Sequence, residues 1–362
     1  MSITIWYMGN YNSKTIKKLF IILALLISIL SLTFISYSVY LVKYKYKNVK
    51  VIELKNGYAN QLYQFAFGYA LQQKTDGIKV KYDVRKINTK GKVVSDKFWE
   101  SYFFDRLNVK VDIWDVNIFE KFIISKFAKV KKCNELIYDY DDRCFDKNIG
   151  IYINRFFENP LYFKDYKNDI NRIITTLSSE YKDELNDENI QIIKEMQSHK
   201  NSVVVNIRLG DFLQYKMHNI CNFDYYKKAM KVFEKMEDVH FYISSNDIEG
   251  AKKYFKIDKP HTFVDIVPLE KPYLNLILSS SAKHNIVSNS TFAIWAGMLN
   301  KNPNKIVVCP NRFLRQDGNI PERVLKESTG IYPDDWIKIN VDDDEPIDKN
   351  NINTKLNDYL EK

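Results

Sequence analysis

The residues best placed to do chemistry lie in a ten-residue stretch, VVVNIRLGDF at 203–212. Its branched apolar residues read as a buried strand over 203–207, and Arg208, Gly210 and Asp211 follow directly on the strand end. Open α/β sheets bind ligands outside the carboxyl ends of their strands, so an anion would meet a guanidinium here. A guanidinium offers a planar two-pronged donor to a diphosphate, where a lysine offers only a point charge. The same spacing also allows a plain Arg208–Asp211 surface ion pair. A second candidate is Ser288 to Phe292, where strand 284–288 gives way to helix 291–300. Backbone N–H groups and hydroxyls at such a helix start form an anion site, or serve as an ordinary N-cap. A third is Ser245, Asn246 and Asp247 after strand 239–244, where Asp247 either holds a ribose or guanine or caps helix 247–255.

Other chemistries find less support. Asp139 and Asp141, in ELIYDYDD at 135–142, have the one-residue gap of a pair that holds Mg²⁺ or Mn²⁺ against a diphosphate. That pair is the basis of a rival reading, a metal-dependent transferase of the GT-A type. The five histidines (199, 218, 240, 261, 284) show no HExxH or metal spacing, and no GxSxG, Walker loop or GxGxxG is present. Four cysteines (133, 144, 221, 309) form no CxxC pair. They read as buried free thiols, with a Cys133–Cys144 disulfide as the alternative.

The elements that must position these groups begin after an apolar run. Residues 19–42, LFIILALLISILSLTFISYSVYLV, carry no charge and span a bilayer core of roughly 30 Å at about 1.5 Å per residue. The run is longer than a signal-peptide apolar region and lacks a small-residue cleavage site, so it reads as an uncleaved signal anchor. Of the net charge of +9, seven units come from lysines among residues 1–50, which leaves +2 for the other 312 residues. No nucleic-acid-binding motif accompanies that charge, and no nucleic-acid partner is expected. Lysines 14, 17 and 18 flank one side of the run and 43, 45 and 47 the other, so flanking charge does not set the topology. The same lysines suit a membrane carrying anionic lipid headgroups.

The remaining chain reads as a tail (1–18), the anchor (19–42), a stem (43–50), an N-terminal domain (51–200), a C-terminal domain (201–340) and a solvated, frayed acidic tail (341–362). Strand 51–54, helix 60–74 and strand 78–82 open the first domain, and 95–195 reads as mainly helical. From 202 strands and helices alternate: strands 203–207, 239–244, 262–266, 284–288 and 304–309, with helices 223–236, 247–255, 272–281 and 291–300 between them. That alternation predicts a parallel, doubly wound sheet.

Four blocks in register carry a family resemblance: NGYANQLYQFAFGYAL (56–71), NIRLGDF (206–212) with FYISSNDIEGAK (241–252), KHNIVSNSTFAIWAGMLNKNPNKIVVCPNRF (283–313), and YPDDWIKI (332–339). Together they resemble the GDP-fucose-dependent α-1,2-fucosyltransferases, glycosyltransferase family 11, over about residues 51–340. The resemblance implies a two-domain α/β fold of the GT-B type with Rossmann-like sheets, here behind one N-terminal transmembrane helix. It implies an inverting galactoside 2-α-L-fucosyltransferase that moves fucose from GDP-fucose to a galactose-terminated glycan, with no cofactor and no obligatory metal. Site residues implied are Arg208 and Asp211 for catalysis. Asn206, Arg208, Ser245, Asp247, Asn289, Ser290, Thr291 and Phe292 are implied at the donor, and Asn60 and Gln61 at the acceptor cleft, with helix capping as the plainer role for the last two.

The family motif has histidine, any residue, two arginines, glycine and aspartate. Here Asn206 stands for the histidine and Leu209 for the second arginine, which removes an imidazole and a cation. Those losses keep open a changed donor, or an inactive binding homologue. The general base is left unassigned. The localisation that follows is a single-pass membrane protein, of type II in a Golgi-type setting if the host is eukaryotic.

Overall fold

The computed structural model describes residues 13–87, 101–127, 138–146, 150–152, 155–316, 319–342 and 344–347. Helix α1 (Ser13–Tyr40) continues through a π-helical turn at Leu41–Lys45 and leads into strand β1 (Val49–Glu53). Then come α2 (Tyr58–Lys74), β2 (Lys79–Asp83), α3 (Ile118–Phe127), β3 (Ile151–Tyr152), α4 (Lys167–Ile174) and α5 (Asp187–Ser198). β1 pairs in parallel with β2 on one side and β3 on the other, giving the order β2-β1-β3. The second unit runs β4 (Asn201–Ile207), α6 (Asp211–Gln214), α7 (Phe223–Lys231), β5 (Val239–Ser245), α8 (Ile248–Tyr254) and β6 (His261–Phe263). It continues α9 (Pro272–Ser279), β7 (His284–Ile286), α10 (Thr291–Leu299), β8 (Val307–Pro310), α11 (Glu322–Glu327) and β9 (Ile337–Ile339). Its six strands are all parallel in the order β6-β5-β4-β7-β8-β9. The molecule thus has the two-sheet α/β architecture of the GT-B type.

β4 sits at the centre because Ser202 to Ile207 are buried on both faces, as a doubly wound sheet requires. The chain goes from β4 outward to β5 and β6, then returns to place β7 on the other flank of β4. The order therefore reverses between β4 and β7, and that reversal opens a crevice at their carboxyl ends.

The two sheets meet along a seam between the starts of α2 and α10. The Trp295 indole N–H donates to the Ala59 carbonyl at 3.0 Å, and the Tyr63 and Phe163 rings lie 4.9 and 5.5 Å from it. Thr291 Oγ1 donates to Asn60 Oδ1 at 2.9 Å across the same seam. One apolar core runs through it, from Ile52 and Leu62 to Trp295, Val307 and Trp336, and a second core fills the far face of the larger sheet. α10 lies close on β8 because position 297 is glycine. A Cβ there would come within 2.9 Å of the Trp336 ring and 3.0 Å of Val307. The last carbonyls of α10 are held by Lys305, whose Nζ reaches those of Gly297 (2.7 Å) and Asn300 (2.8 Å).

Several expectations are corrected. The described part of 95–195 is not mainly α-helical: short 3-10 turns at 104–106, 142–145, 160–162, 164–166 and 182–184 lie before and between α3, α4 and α5. Asp141 and Asn159 start two of these turns as N-caps, accepting from the N–H groups of Arg143 and Leu161. The stem is shorter than 43–50, because Leu41–Lys45 continues the helix and Lys50 is already buried within β1. The described start of the acidic tail is packed rather than frayed. Val341 and Ile347 join the far-face core, Asn219 brackets Ile347 through both its N–H and its carbonyl, and Lys228 pairs with Asp344 at 2.6 Å. Residues 1–12 and 348–362 lie outside the described residues, as does Cys133, so the Cys133–Cys144 pairing does too. Cys221 and Cys309 are buried thiols.

Candidate functional site

Three adjacent strand ends deliver the candidate groups to one edge: β5 to Asp247, β4 to Arg208, and β7 to Asn289. Gly210 lets the chain turn sharply after β4, with φ at +65°, a conformation that costs other residues energy. The Arg208 guanidinium is half-buried. Its Nη2 donates to both carboxylate oxygens of Asp211 (2.7 and 2.9 Å), and it lies over the Phe212 ring at 4.8 Å. So the Arg208–Asp211 pair exists, but within the crevice wall, with Asp211 orienting the guanidinium. Arg208 Nε is buried and has no partner among the described residues, a donor left for a ligand.

The other groups of this wall divide by what already holds them. Asn206 is buried, donates to Ser279 Oγ at 3.3 Å, and keeps Oδ1 unpartnered among the described residues. Asn246 clamps the Leu209 backbone by accepting from its N–H (2.8 Å) and donating to its carbonyl (3.2 Å), which fixes the Arg208 loop. Leu209 itself points into the far-face core, fully buried, so an arginine at this position would not fit there. Asp247 is the N-cap of α8: Oδ1 accepts from the Gly250 N–H at 2.9 Å, and its own N–H donates to Ser245 Oγ at 3.1 Å. Burial holds its carboxyl above the usual carboxylate range, and Oδ2 has no partner among the described residues.

Asn289 is fully buried, and its amide donates to the carbonyls of His218 (2.9 Å) and Phe313 (3.1 Å). It braces two loops under the crevice and does not present its amide to solvent, so glycosylation at this sequon is sterically blocked in the fold. Ser290 is the N-cap of α10 with no side-chain bond to the helix, so the first N–H groups of α10 remain available to an anion. Thr291 crosses the seam to Asn60, and Phe292 packs partly into the main core.

On the smaller sheet's side, Asn60 accepts from Thr291 across the seam. Gln61 does not face a cleft: its side chain is fully buried, and its amide holds the carbonyls of Asn56 (2.7 Å) and Ser101 (3.2 Å). It stabilises the turn at Asn56, whose φ is +62°.

Two groups went unread in the sequence. His218 stacks on the Phe212 ring at 4.8 Å, and burial keeps its imidazole below its ordinary pKa. Glu158 stands on the smaller sheet's side, in a turn where Phe157 adopts φ +57° and stacks on Phe67 at 3.7 Å. Its carboxyl is buried, receives no hydrogen bond among the described residues, and is pushed by burial up to about 8, with Lys55 opposing. Its charge reaches Tyr63 and Tyr138, whose rings touch Trp295 and Phe313 of the larger unit. Glu158 therefore lies beside the seam. No spacing rule marks it, since a glutamate in an irregular turn leaves no periodic trace.

The acid pair of the rival reading is engaged otherwise. Asp141 is buried, takes two hydrogen bonds from the Arg143 guanidinium (2.7 and 2.9 Å) and caps a 3-10 turn, while Asp139 accepts from the Tyr140 N–H. Among the described residues no three His, Cys, Asp or Glu side chains cluster as a metal site.

Comparison with known proteins gives the family of the chain. Glycosyl transferase family 11 matches residues 49–340. An alpha-1,2-colitosyltransferase of Escherichia coli is 26% identical over 311 residues, covering 81% of this chain and 99% of the relative. The O-antigen biosynthesis glycosyltransferase WbnK of Escherichia coli is 23% identical over 312 residues, covering 76% and 97%. Among solved structures, fucosyltransferase NodZ from Bradyrhizobium aligns with a TM-score of 0.41 at 12% identity, over 69% of this chain and 91% of NodZ.

Proposed function

The chain belongs to glycosyltransferase family 11, and we propose that it moves fucose from GDP-fucose to a galactose hydroxyl of a glycan, in α-1,2 linkage with inversion. One observation carries the reading: at the strand reversal, Arg208 keeps a buried Nε without a partner among the described residues, and the neighbouring strand β7 leads to the start of α10, whose N-cap Ser290 makes no side-chain bond to the helix. The donor diphosphate lies across that edge, where the guanidinium and the α10 N–H groups take up the negative charge that develops as the sugar–phosphate bond breaks. The bonding pair leaves with GDP, and the acceptor oxygen bonds to the anomeric carbon from the opposite face. Its proton passes, in this reading, to Glu158, a buried carboxyl in the turn after β3 whose affinity for a proton is raised by burial. Asp211 is an orienting group here, because both its oxygens are held by Arg208. No metal is required for these roles.

A membrane-anchored setting fits α1. Among the described residues it is the one helix long and apolar enough to cross a bilayer, its most apolar 18-residue window within Lys14–Lys45 reaching a mean hydropathy of 2.8. A second reading of the donor comes from the relative named as a colitosyltransferase. Asn206 and Leu209 leave the crevice without the family's imidazole and second cation, so a colitosyl donor is the competitor of fucose.

The test uses the full chain in detergent micelles with GDP-fucose and lactose, following GDP release and the fucosylated product, with an EDTA tube alongside. Product that is indifferent to EDTA supports the reading. Product only from a colitosyl donor replaces the sugar, and activity that EDTA abolishes returns the metal-dependent reading.

A further inference from the structure

Helix α3 carries its apolar residues on the wrong side for a soluble domain. Ile123 and Ile124 face inward and are buried, yet Ile118, Phe119 and Phe122 on the other side are 86%, 52% and 51% exposed. A soluble surface seldom leaves three large apolar side chains together on one short helix.

Their neighbours show what covers them. The Phe119 ring packs against Phe34 at 5.8 Å and Tyr37 at 6.2 Å, both on α1. Glu120 fixes the arrangement by accepting from Tyr37 (2.8 Å), Lys45 (2.9 Å) and Tyr46 (3.0 Å). α3 is thereby clamped to the last turns of α1, within the uncharged stretch 19–42. Phe34 stands eight residues before Val42 and Tyr37 five, which is about 12 and 8 Å along the helix axis. Phe119 contacts both, so it shares their depth. A groove between the two helices, lined by Ile27, Leu30, Phe34 and Phe119, continues the same apolar surface. Tyr40, Tyr44 and Tyr46 ring the polar end, with Lys43, Lys45 and Lys47 just beyond, the order of side chains at a membrane–water boundary.

We propose that α3 lies within the boundary of the lipid bilayer beside α1, with Ile118, Phe119 and Phe122 among the acyl chains and Lys43 and Lys47 toward anionic headgroups. The inference rests on α1 spanning the membrane. Its consequence is orientation. A helix from the acceptor-side unit, held flat at the bilayer, stops the catalytic unit from swinging freely on its anchor. The crevice is then kept at a fixed height, suited to an acceptor glycan borne on a lipid.

The experiment places p-benzoyl-phenylalanine, one position at a time, at Leu26, Ile118, Phe122 and Leu269 of the full chain. The protein is reconstituted in vesicles of equal phosphatidylcholine and phosphatidylglycerol with radiolabelled acyl chains. All four residues are exposed, so folding is not at risk. Labelled lipid recovered at 118 and 122 within about twofold of that at 26, and little at 269, is the expected result. Lipid at 26 but not at 118 and 122 overturns the inference and leaves the anchor standing. Chain-to-chain adducts at 122 overturn it in favour of a second copy, and no lipid at 26 removes the anchor and the inference together.

Discussion

On the larger sheet's side of the crevice, three parallel strand ends carry Arg208, Asp247 and Asn289, and each is fixed from behind: by Asp211, by the α8 backbone, by two loop carbonyls. On the smaller sheet's side, Glu158 hangs from a turn between β3 and α4, held by an aromatic stack and by Asn159, whose amide donates to the Tyr138 carbonyl. The first wall is rigid because its groups leave regular strands whose register is set by burial. The second is shaped by side-chain caps and rings, which suits a surface that must fit one particular acceptor. The difference predicts that substitutions on the first wall act alike on transfer to every acceptor. Substitutions on the second should separate donor chemistry from transfer.

The largest effect is expected at Arg208. Arg208→Ala should lower kcat for transfer about 10³-fold if, as proposed, it removes the group that takes up the developing charge. Arg208→Lys should recover only part of this, because an ammonium restores charge without the fork. Equal losses with two different acceptors, measured as GDP release, would sharpen the contrast between walls. An acceptor-dependent loss would break it.

Glu158→Gln comes next, with transfer lowered about 10²-fold as for removal of a general base. GDP-fucose binding by calorimetry should be unchanged. In the parent, the rate should climb as pH rises through about 8, where the carboxyl loses its proton, and the variant should lack that limb. Stability gives an independent check. The folded pKa lies above the unfolded one, so the fold binds the extra proton between about 4 and 8 and loses stability as pH rises across that window. Glu158→Gln should therefore gain in thermal midpoint over the parent from pH 5 to pH 8. Loss of donor binding in this variant would place Glu158 on the wrong wall.

The same contrast explains what was legible. Arg208, Asn289 and Asp247 stand where an apolar run stops, a signal that survives in one sequence because the strand period and the sheet rule both point to its end. The residues' duties were harder to read than their positions. Asn289 and Gln61 are polar types at plausible sites, yet both are buried and hold carbonyls, which only the paths of distant loops reveal. Glu158 and His218 were missed for the opposite reason: neither follows a strand, and their environments are assembled from Phe67, Tyr138 and Phe212 in separate segments. The irregular stretch before α4 reads as helical because apolar residues recur there among lysines and acids, a pattern that does not separate an α-helix from the short 3-10 turns found there.

A smaller effect tests the seam where the walls join. Thr291→Val deletes the one described side-chain hydrogen bond between Thr291 and Asn60 while keeping the shape. It should cost about 1 kcal/mol, read as a lower thermal midpoint. Trp295, with its bond to Ala59, keeps the units together, so the KM for donor should hardly move.

The smallest effect decides between two duties of one residue. Asp247 caps α8 through Oδ1, and burial raises its pKa, so the charged form is the disfavoured one in the fold. Asp247→Asn keeps an acceptor for the Gly250 N–H and removes the charge. As a cap alone, the variant should lie within about 1 kcal/mol of the parent near pH 4. It should gain on the parent as pH rises above the ordinary carboxylate range, because the parent then has to bury an anion. Donor KM would stay as it was. If Oδ2, unpartnered among the described residues, instead accepts from the nucleotide's ribose hydroxyls, Asp247→Asn raises donor KM while kcat holds, the mark of an interaction equal in ground and transition states. A rise in KM with no change in thermal midpoint would move Asp247 from the frame of the rigid wall to its working face.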